Sequence, residues 1–123
     1  MKAHLHPLLR SCFYVAAMAV VILSLAPRGA LPPVSFDDKI EHVLAYAALG
    51  LLGVTTARSA TEMLRTVCGL IALGIALEFL QAFSPGRSPE LNDALADIIG
   101  TAIGGGGAII LQRIRVTALA RGR

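Results

Sequence analysis

Four apolar runs, interrupted by charge only near their ends, fill most of a chain of 123 residues. Residues 11–27, 43–57, 66–77 and 98–112 contain no Asp, Glu, Lys or Arg. None reaches the ~18 charge-free residues that define a membrane span outright. The last three become long enough by admitting one polar turn each: Lys39, Glu41 and His42 in 38–57, Glu78 and Gln81 in 66–83, and Asp97 in 94–112. One such run would suit a buried helix of a soluble protein. Four leave almost nothing to solvate such a fold, since 15% of the residues are charged and mean hydropathy is +0.70. Soluble domains carry roughly 25% charged residues. The reading is therefore an all-α, polytopic membrane protein, a single domain over residues 1–123. Its four transmembrane helices are expected at about 9–26, 38–57, 66–83 and 94–112. The length excludes a large soluble catalytic domain.

Pro27, Gly29, Pro32 and Pro33 separate the first span from the second, and Pro85, Gly86 and Pro89 turn the third into the fourth. Ser59 or Thr61 is available to cap the third helix. Lys2 and Arg10 ahead of Cys12–Leu25 also suit a secretory signal peptide, with Ser24 and Ala26 as a cleavage pattern. Pro27 directly after that cut opposes cleavage, and on either reading the second helix starts on the outside. Cys12 and Cys68 sit in apolar runs, as small hydrophobes rather than disulfide partners.

Orientation follows from Lys and Arg in the short loops. Lys2, Arg10, Arg58, Arg65, Arg113, Arg115, Arg121 and Arg123 fall on one side, and Arg28, Lys39 and Arg87 on the other. Both termini are expected to be cytoplasmic. The net charge of +3 is thus a topological signal. Without a basic stripe or interleaved aromatics, no nucleic-acid partner is expected. The acids sort the opposite way. Asp37, Asp38, Glu41, Glu78, Glu90, Asp93 and Asp97 all fall at or beyond the outer ends of helices, and only Glu62 lies inside.

On the second helix Asp38, Lys39, His42 and Tyr46 recur at spacings of three and four, which places them on one face. Glu78 and Gln81 are three apart on the third, while Asp93, Asp97, Gly100 and Gly104 form a stripe on the fourth. At ~1.5 Å per residue, His42, Glu78 and Asp97 lie at similar depths, about one to one and a half turns below the outer boundary. A charge facing lipid is costly, so these groups are expected to turn inward and pair. Lys39 and Arg87 are the candidate partners of Glu78, Asp93 and Asp97, with His42 as a titratable member. The expected product is a polar pocket open to the outside. The same residues also fit a purely structural cluster that pins three helices together. Asp37, Glu41 and Glu90 read as solvated rim charges, and Gly100 and Gly104 as a helix-packing pair.

The ordered set Asp38-Lys39-Ile40-Glu41-His42, Tyr46, Leu49-Gly50, Glu78-Phe79-Leu80-Gln81, Pro85-Gly86-Arg87, Asp93, Asp97, Gly100 and Gly104 resembles the VanZ-like family of small bacterial membrane proteins, named after a teicoplanin-resistance protein. The resemblance covers roughly residues 35–107. It implies that Asp38, Lys39, His42, Tyr46, Glu78, Gln81, Arg87 and Asp93 are signature positions. Asp97 stands where the family usually has Asn, which adds a negative charge and calls for an altered ligand or an extra cationic partner. The resemblance implies a multi-pass protein of the bacterial plasma membrane connected with the cell envelope and antibiotic resistance, without implying a molecular activity.

Three classes of function fit. A non-enzymatic protein would bind an envelope lipid or a glycopeptide-type amphiphile in the outer pocket, with Lys39 and Arg87 on its anionic groups. An intramembrane enzyme would use His42 with Glu78 as an acid–base pair, or hold a metal on His42, Glu78, Asp93 and Asp97. One histidine among carboxylates is a weak zinc signature, so no metal or other cofactor is expected. A scaffold would use the cluster for packing alone. Membrane lipids are the expected partners in every case. A second copy of the chain is the remaining partner class, because a transport path through so small a protomer requires oligomerisation.

Overall fold

A computed structural model of the chain describes residues 2–33 and 37–121, with side chains from His6 onward. Four α-helices follow one another: α1 (Lys2–Leu25), α2 (Asp38–Thr56), α3 (Ala60–Gln81) and α4 (Leu91–Arg121), with one 3-10 turn at Arg28–Ala30. No strand occurs among the described residues. Arg123 and the Lys2 side chain, counted above on the basic side, lie outside the described residues.

The helix limits have local causes. Asp37 caps α2, its carboxylate accepting from Lys39 N at 2.9 Å. Ser59 caps α3 by accepting from Glu62 N at 3.1 Å, and Glu62 reaches back to accept from Arg58 N at 2.8 Å. Two orphan donors are satisfied this way. That polar cap starts α3 six residues before the span expected at 66–83. At the other end of the chain, α4 continues past residue 112 to Arg121 because nothing between them breaks it. At ~1.5 Å per residue its 31 residues exceed the ~30 Å hydrocarbon core by several turns.

Three helices are long and apolar enough to cross a membrane: α1 from His6 to Leu25, α3 and α4. The exception is α2, whose first turns carry Asp38, Lys39, Glu41 and His42. It packs most extensively on α4 and also on α1 and α3. A helix covered in part by others does not need an apolar exterior all round. The outer surface is apolar instead, with Val15 70%, Phe79 72%, Leu91 78% and Phe83 87% exposed. Soluble monomers rarely present so much contiguous apolar surface.

The interior is built from small residues. Gly50 on α2 lies so close to α4 that a Cβ there would stand 2.8 Å from Thr101 O. A Cβ on Gly100 would collide with Val43 O, and one on Gly104 with Ala47 O and Leu51 N. The α2 and α4 backbones therefore touch, which suits helix association driven by packing rather than by exclusion of water. Tyr46, Leu49 and Leu70 form the apolar core above this contact, and Phe13, Ala16, Ala17 and Val20 of α1 pack against it.

The α3–α4 loop holds the end of α1. Ser84 Oγ donates to Leu25 O at 2.6 Å, and Arg87 donates from Nε to Ala26 O at 3.0 Å and from Nη2 to Leu23 O at 2.9 Å. These bonds satisfy carbonyls that a helix C-terminus leaves open. Gly86 makes the turn at φ +75°, a conformation that costs glycine no Cβ clash.

The backbone contact sets a clear expectation. Gly104→Ala should destabilise the detergent-solubilised protein by about 1–3 kcal/mol, the usual range for overpacking. Gly106→Ala, with open space around it, should be neutral or slightly stabilising. Chemical unfolding followed by circular dichroism measures both, and equal responses would contradict a close α2–α4 contact.

Candidate functional site

Asp38, His42 and Tyr46 sit at spacings of four on α2, and α4 brings Asp93 and Asp97 against them. His42 Nδ1 donates to Asp97 Oδ1 at 2.8 Å, and His42 Nε2 lies 4.0 Å from Asp93 Oδ2. Asp97 is buried, with its second oxygen over Gly74 of α3. A Cβ at position 74 would stand 2.7 Å from Asp97 Oδ2, so glycine there makes room for the carboxylate. One side chain of α4 thus reaches α2 through a hydrogen bond and α3 through a steric notch.

Glu78 and Gln81 lie on the buried face of α3 at the same end. Glu78 Oε2 accepts from Glu90 N at 2.9 Å, satisfying a donor just ahead of α4. Its other oxygen has no hydrogen-bond partner among the described residues, nor have Tyr46 OH, Gln81 Nε2, Asp93 Oδ1 and Thr101 Oγ1, although all are buried. A buried polar group left unpaired costs about 1–3 kcal/mol, and native proteins rarely leave several together. This end of the bundle offers donors and acceptors that the chain does not itself use.

Lys39 meets one of the acids expected above, and Arg87 does not. Lys39 Nζ lies 3.3 Å from Glu90 and 3.9 Å from Asp93, and Arg28 Nη2 lies 3.4 Å from Asp38. Arg87 bonds the carbonyls of α1 and makes no ion pair with Glu78, Asp93 or Asp97. The carbonyls of a helix end are nearer to the loop that carries Arg87 than the acids one turn down. His42 pairs with Asp97 rather than Glu78, because α2 and α4 are in direct backbone contact. Gly100 and Gly104 lie on that contact. Arg28 and Gly74 were not singled out from the sequence. Arg28 stands in a segment of turn residues, and the purpose of Gly74 shows only once Asp97 lies against it.

A cleft of ≈ 630 Å³ opens beside the cluster between α1, α2 and the segment that joins them. Val20, Leu23, Ala45, Leu31 and Pro32 supply apolar wall, while Arg28, Asp38, Glu41, His42, Tyr46 and Arg87 make it polar. The arrangement can hold a molecule with an apolar body and a hydrogen-bonding head.

Comparison with known proteins is decisive on kinship. The family model described as VanZ/LLP1 matches residues 11–112. The chain belongs to the VanZ/LLP1 family. An uncharacterized protein of the fission yeast Schizosaccharomyces pombe is 28% identical over 109 residues, covering 84% of this chain and 66% of the yeast protein. This VanZ/LLP1 chain therefore spans just under two thirds of that relative's length. No solved structure matches it significantly.

The His42–Asp97 bond can be measured directly. His42→Ala leaves a buried carboxylate without its donor and should cost about 1–3 kcal/mol. The double variant His42→Ala/Asp97→Ala should be less destabilised than the sum of the singles by at least ~0.5 kcal/mol. Additive losses in a double-mutant cycle would show that the pair is not coupled.

Proposed function

We propose that this VanZ/LLP1 protein crosses the membrane four times and binds the polar headgroup of an amphiphile at the end where the acids gather. Both termini then face the cytoplasm, and the cleft beside α2 opens on the outer side. The positive-inside count of the short loops supports this orientation. For a bacterial chain the location is the plasma membrane.

The observation that carries the reading is the group of buried, unpartnered polar atoms on Tyr46, Glu78, Gln81 and Asp93, next to a cleft with apolar walls. A cluster serving only to pin helices would close its hydrogen bonds within itself, as His42 and Asp97 do. A headgroup rich in hydroxyl or amine groups would complete the acceptors, and acyl chains would lie along Val20, Leu23 and Ala45. Arg28 at the rim supplies positive charge for a phosphate. The relative in fission yeast, an organism without peptidoglycan, favours a membrane lipid over a peptidoglycan precursor. Effects on glycopeptide susceptibility would follow from altered handling of such an amphiphile in the envelope.

The 2.8 Å His42–Asp97 bond supports a second reading. A carboxylate-oriented imidazole facing a cleft is the geometry of a general base, so the same site would serve an intramembrane enzyme acting on a lipid-linked substrate.

Native mass spectrometry of the protein purified in mild detergent tests the binding reading. Phospholipid should remain bound to the parent chain and to Glu62→Gln, at the opposite end. Retention should fall at least tenfold in Glu78→Gln and in Tyr46→Phe. Equal retention by all four would make the cluster a packing device. Chemical conversion of the retained lipid, lost in His42→Gln while lipid still binds, would identify the enzyme.

A further inference from the structure

Asp38 opens α2, His42 lies one turn further along, and Asp93 belongs to the first turn of α4. One donor atom from each lies within 4.8 Å of the others. The sequence grouped His42 with Glu78, Asp93 and Asp97, so this trio is a product of the fold. Acids at helix N-termini are common because they complement the helix dipole, and alone they would signify nothing more.

Two further features separate this group from ordinary N-terminal acids. The first is the orientation of the imidazole. An ionised Asp97 carboxylate can only accept, so His42 Nδ1–H is the donor of the 2.8 Å bond, which leaves Nε2 as the free ring nitrogen, 4.0 Å from Asp93 Oδ2. That separation is too long for a hydrogen bond, but two ligands at ~2.0–2.2 Å from one ion can span it. Histidines that bind metal almost always donate the other ring N–H to a carboxylate or carbonyl. The second is Asp93 itself, which is 3% exposed and whose Oδ1 makes no hydrogen bond among the described residues, its nearest cation being Lys39 Nζ at 3.9 Å.

We propose that Asp38, His42 and Asp93 bind one divalent transition-metal cation, with Asp97 as the positioning residue behind His42. One imidazole nitrogen and two carboxylates suit Mn²⁺, Fe²⁺ or Zn²⁺ better than Mg²⁺ or Ca²⁺, which favour oxygen alone. Arg28 and Lys39 balance the carboxylates at 3.4 and 3.9 Å. Their side chains are about half exposed, at 56% and 47%, and are free to swing aside. Asp38 and His42 also line the cleft, which gives an ion its path and leaves coordination positions for water or a ligand. The site stands independently of headgroup binding.

Mn²⁺ titration followed by electron paramagnetic resonance tests it, on the full chain in detergent with no lipid added. One ion should bind per chain and be displaced by Zn²⁺, and electron spin echo modulation should show one coordinated nitrogen. His42→Gln should remove the nitrogen signal, and Asp93→Asn and Asp38→Asn should each weaken affinity at least tenfold. Asp97→Asn should weaken it about 10–100-fold, as loss of an orienting carboxylate does, and Glu62→Gln should have no effect. Asp38 is partly exposed at a helix end, so Asp38→Asn reports on binding even where the buried variants fail to fold. Absence of saturable Mn²⁺ and Zn²⁺ binding would overturn the proposal. So would full affinity in Asp38→Asn, or an ion with no nitrogen ligand.

Discussion

Backbone contact between α2 and α4 is the constraint on which the rest of this molecule depends. Gly50, Gly100 and Gly104 bring the two helices together without intervening side chains, and that closeness delivers Asp97 to His42 one turn above Gly100. Lipid supplies little driving force for apolar helices to associate, so close packing and interhelical hydrogen bonds must do so. Here the two are stacked along one stripe. The glycines set the distance, and the His42–Asp97 bond lies at the end where the helices carry charge. Gly74 extends the same logic to α3, since the notch it leaves is occupied by the Asp97 carboxylate.

Much of this was legible in the residues. The breakers at Pro27–Pro33 and Pro85–Pro89 delimit the helices, and the spacing of Asp38, His42 and Tyr46 gives the inward face of α2. Sorting of the acids in the sequence marks the end of the bundle where His42, Asp93 and Asp97 come together. Helix periodicity tells which residues share a face, and depth tells which share a layer. Neither tells which helix stands opposite. Spacing therefore offers Glu78 to His42 as readily as Asp97, whereas in the fold Glu78 accepts from Glu90 N. Arg87 was matched with acids, whereas its guanidinium bonds the end of α1. Long side chains on loops reach whatever acceptor the tertiary fold brings near, and sequence spacing carries no such information. The extent of α4 was missed for a simpler reason. A charge-free run marks where lipid is tolerated, and a helix continues until its backbone is broken.

The same features bear on α2, the one described α-helix that is not apolar enough by composition to cross a membrane. It packs on α1, α3 and α4 along one side, so Asp38, Glu41 and His42 are partly covered, while Lys39, Ile40 and Leu44 face outward. Helix α1 forms one wall of the cleft, and the docking of Leu23, Leu25 and Ala26 onto the α3–α4 loop keeps that wall in place. In the proposed function α1 is accordingly part of the site, and the cleft exists only while it is docked.

The central claim is that the scarce charge of this chain forms a water-accessible site on the outer side of the membrane. Labelling of intact cells by a membrane-impermeant thiol reagent tests it most directly, in a Cys12→Ser/Cys68→Ser background. Glu41→Cys and Ala45→Cys should both react from outside, while Arg115→Cys should react only after permeabilisation. Reaction of Glu41→Cys from the cytoplasmic side alone, or no reaction of Ala45→Cys in the folded protein, would contradict it.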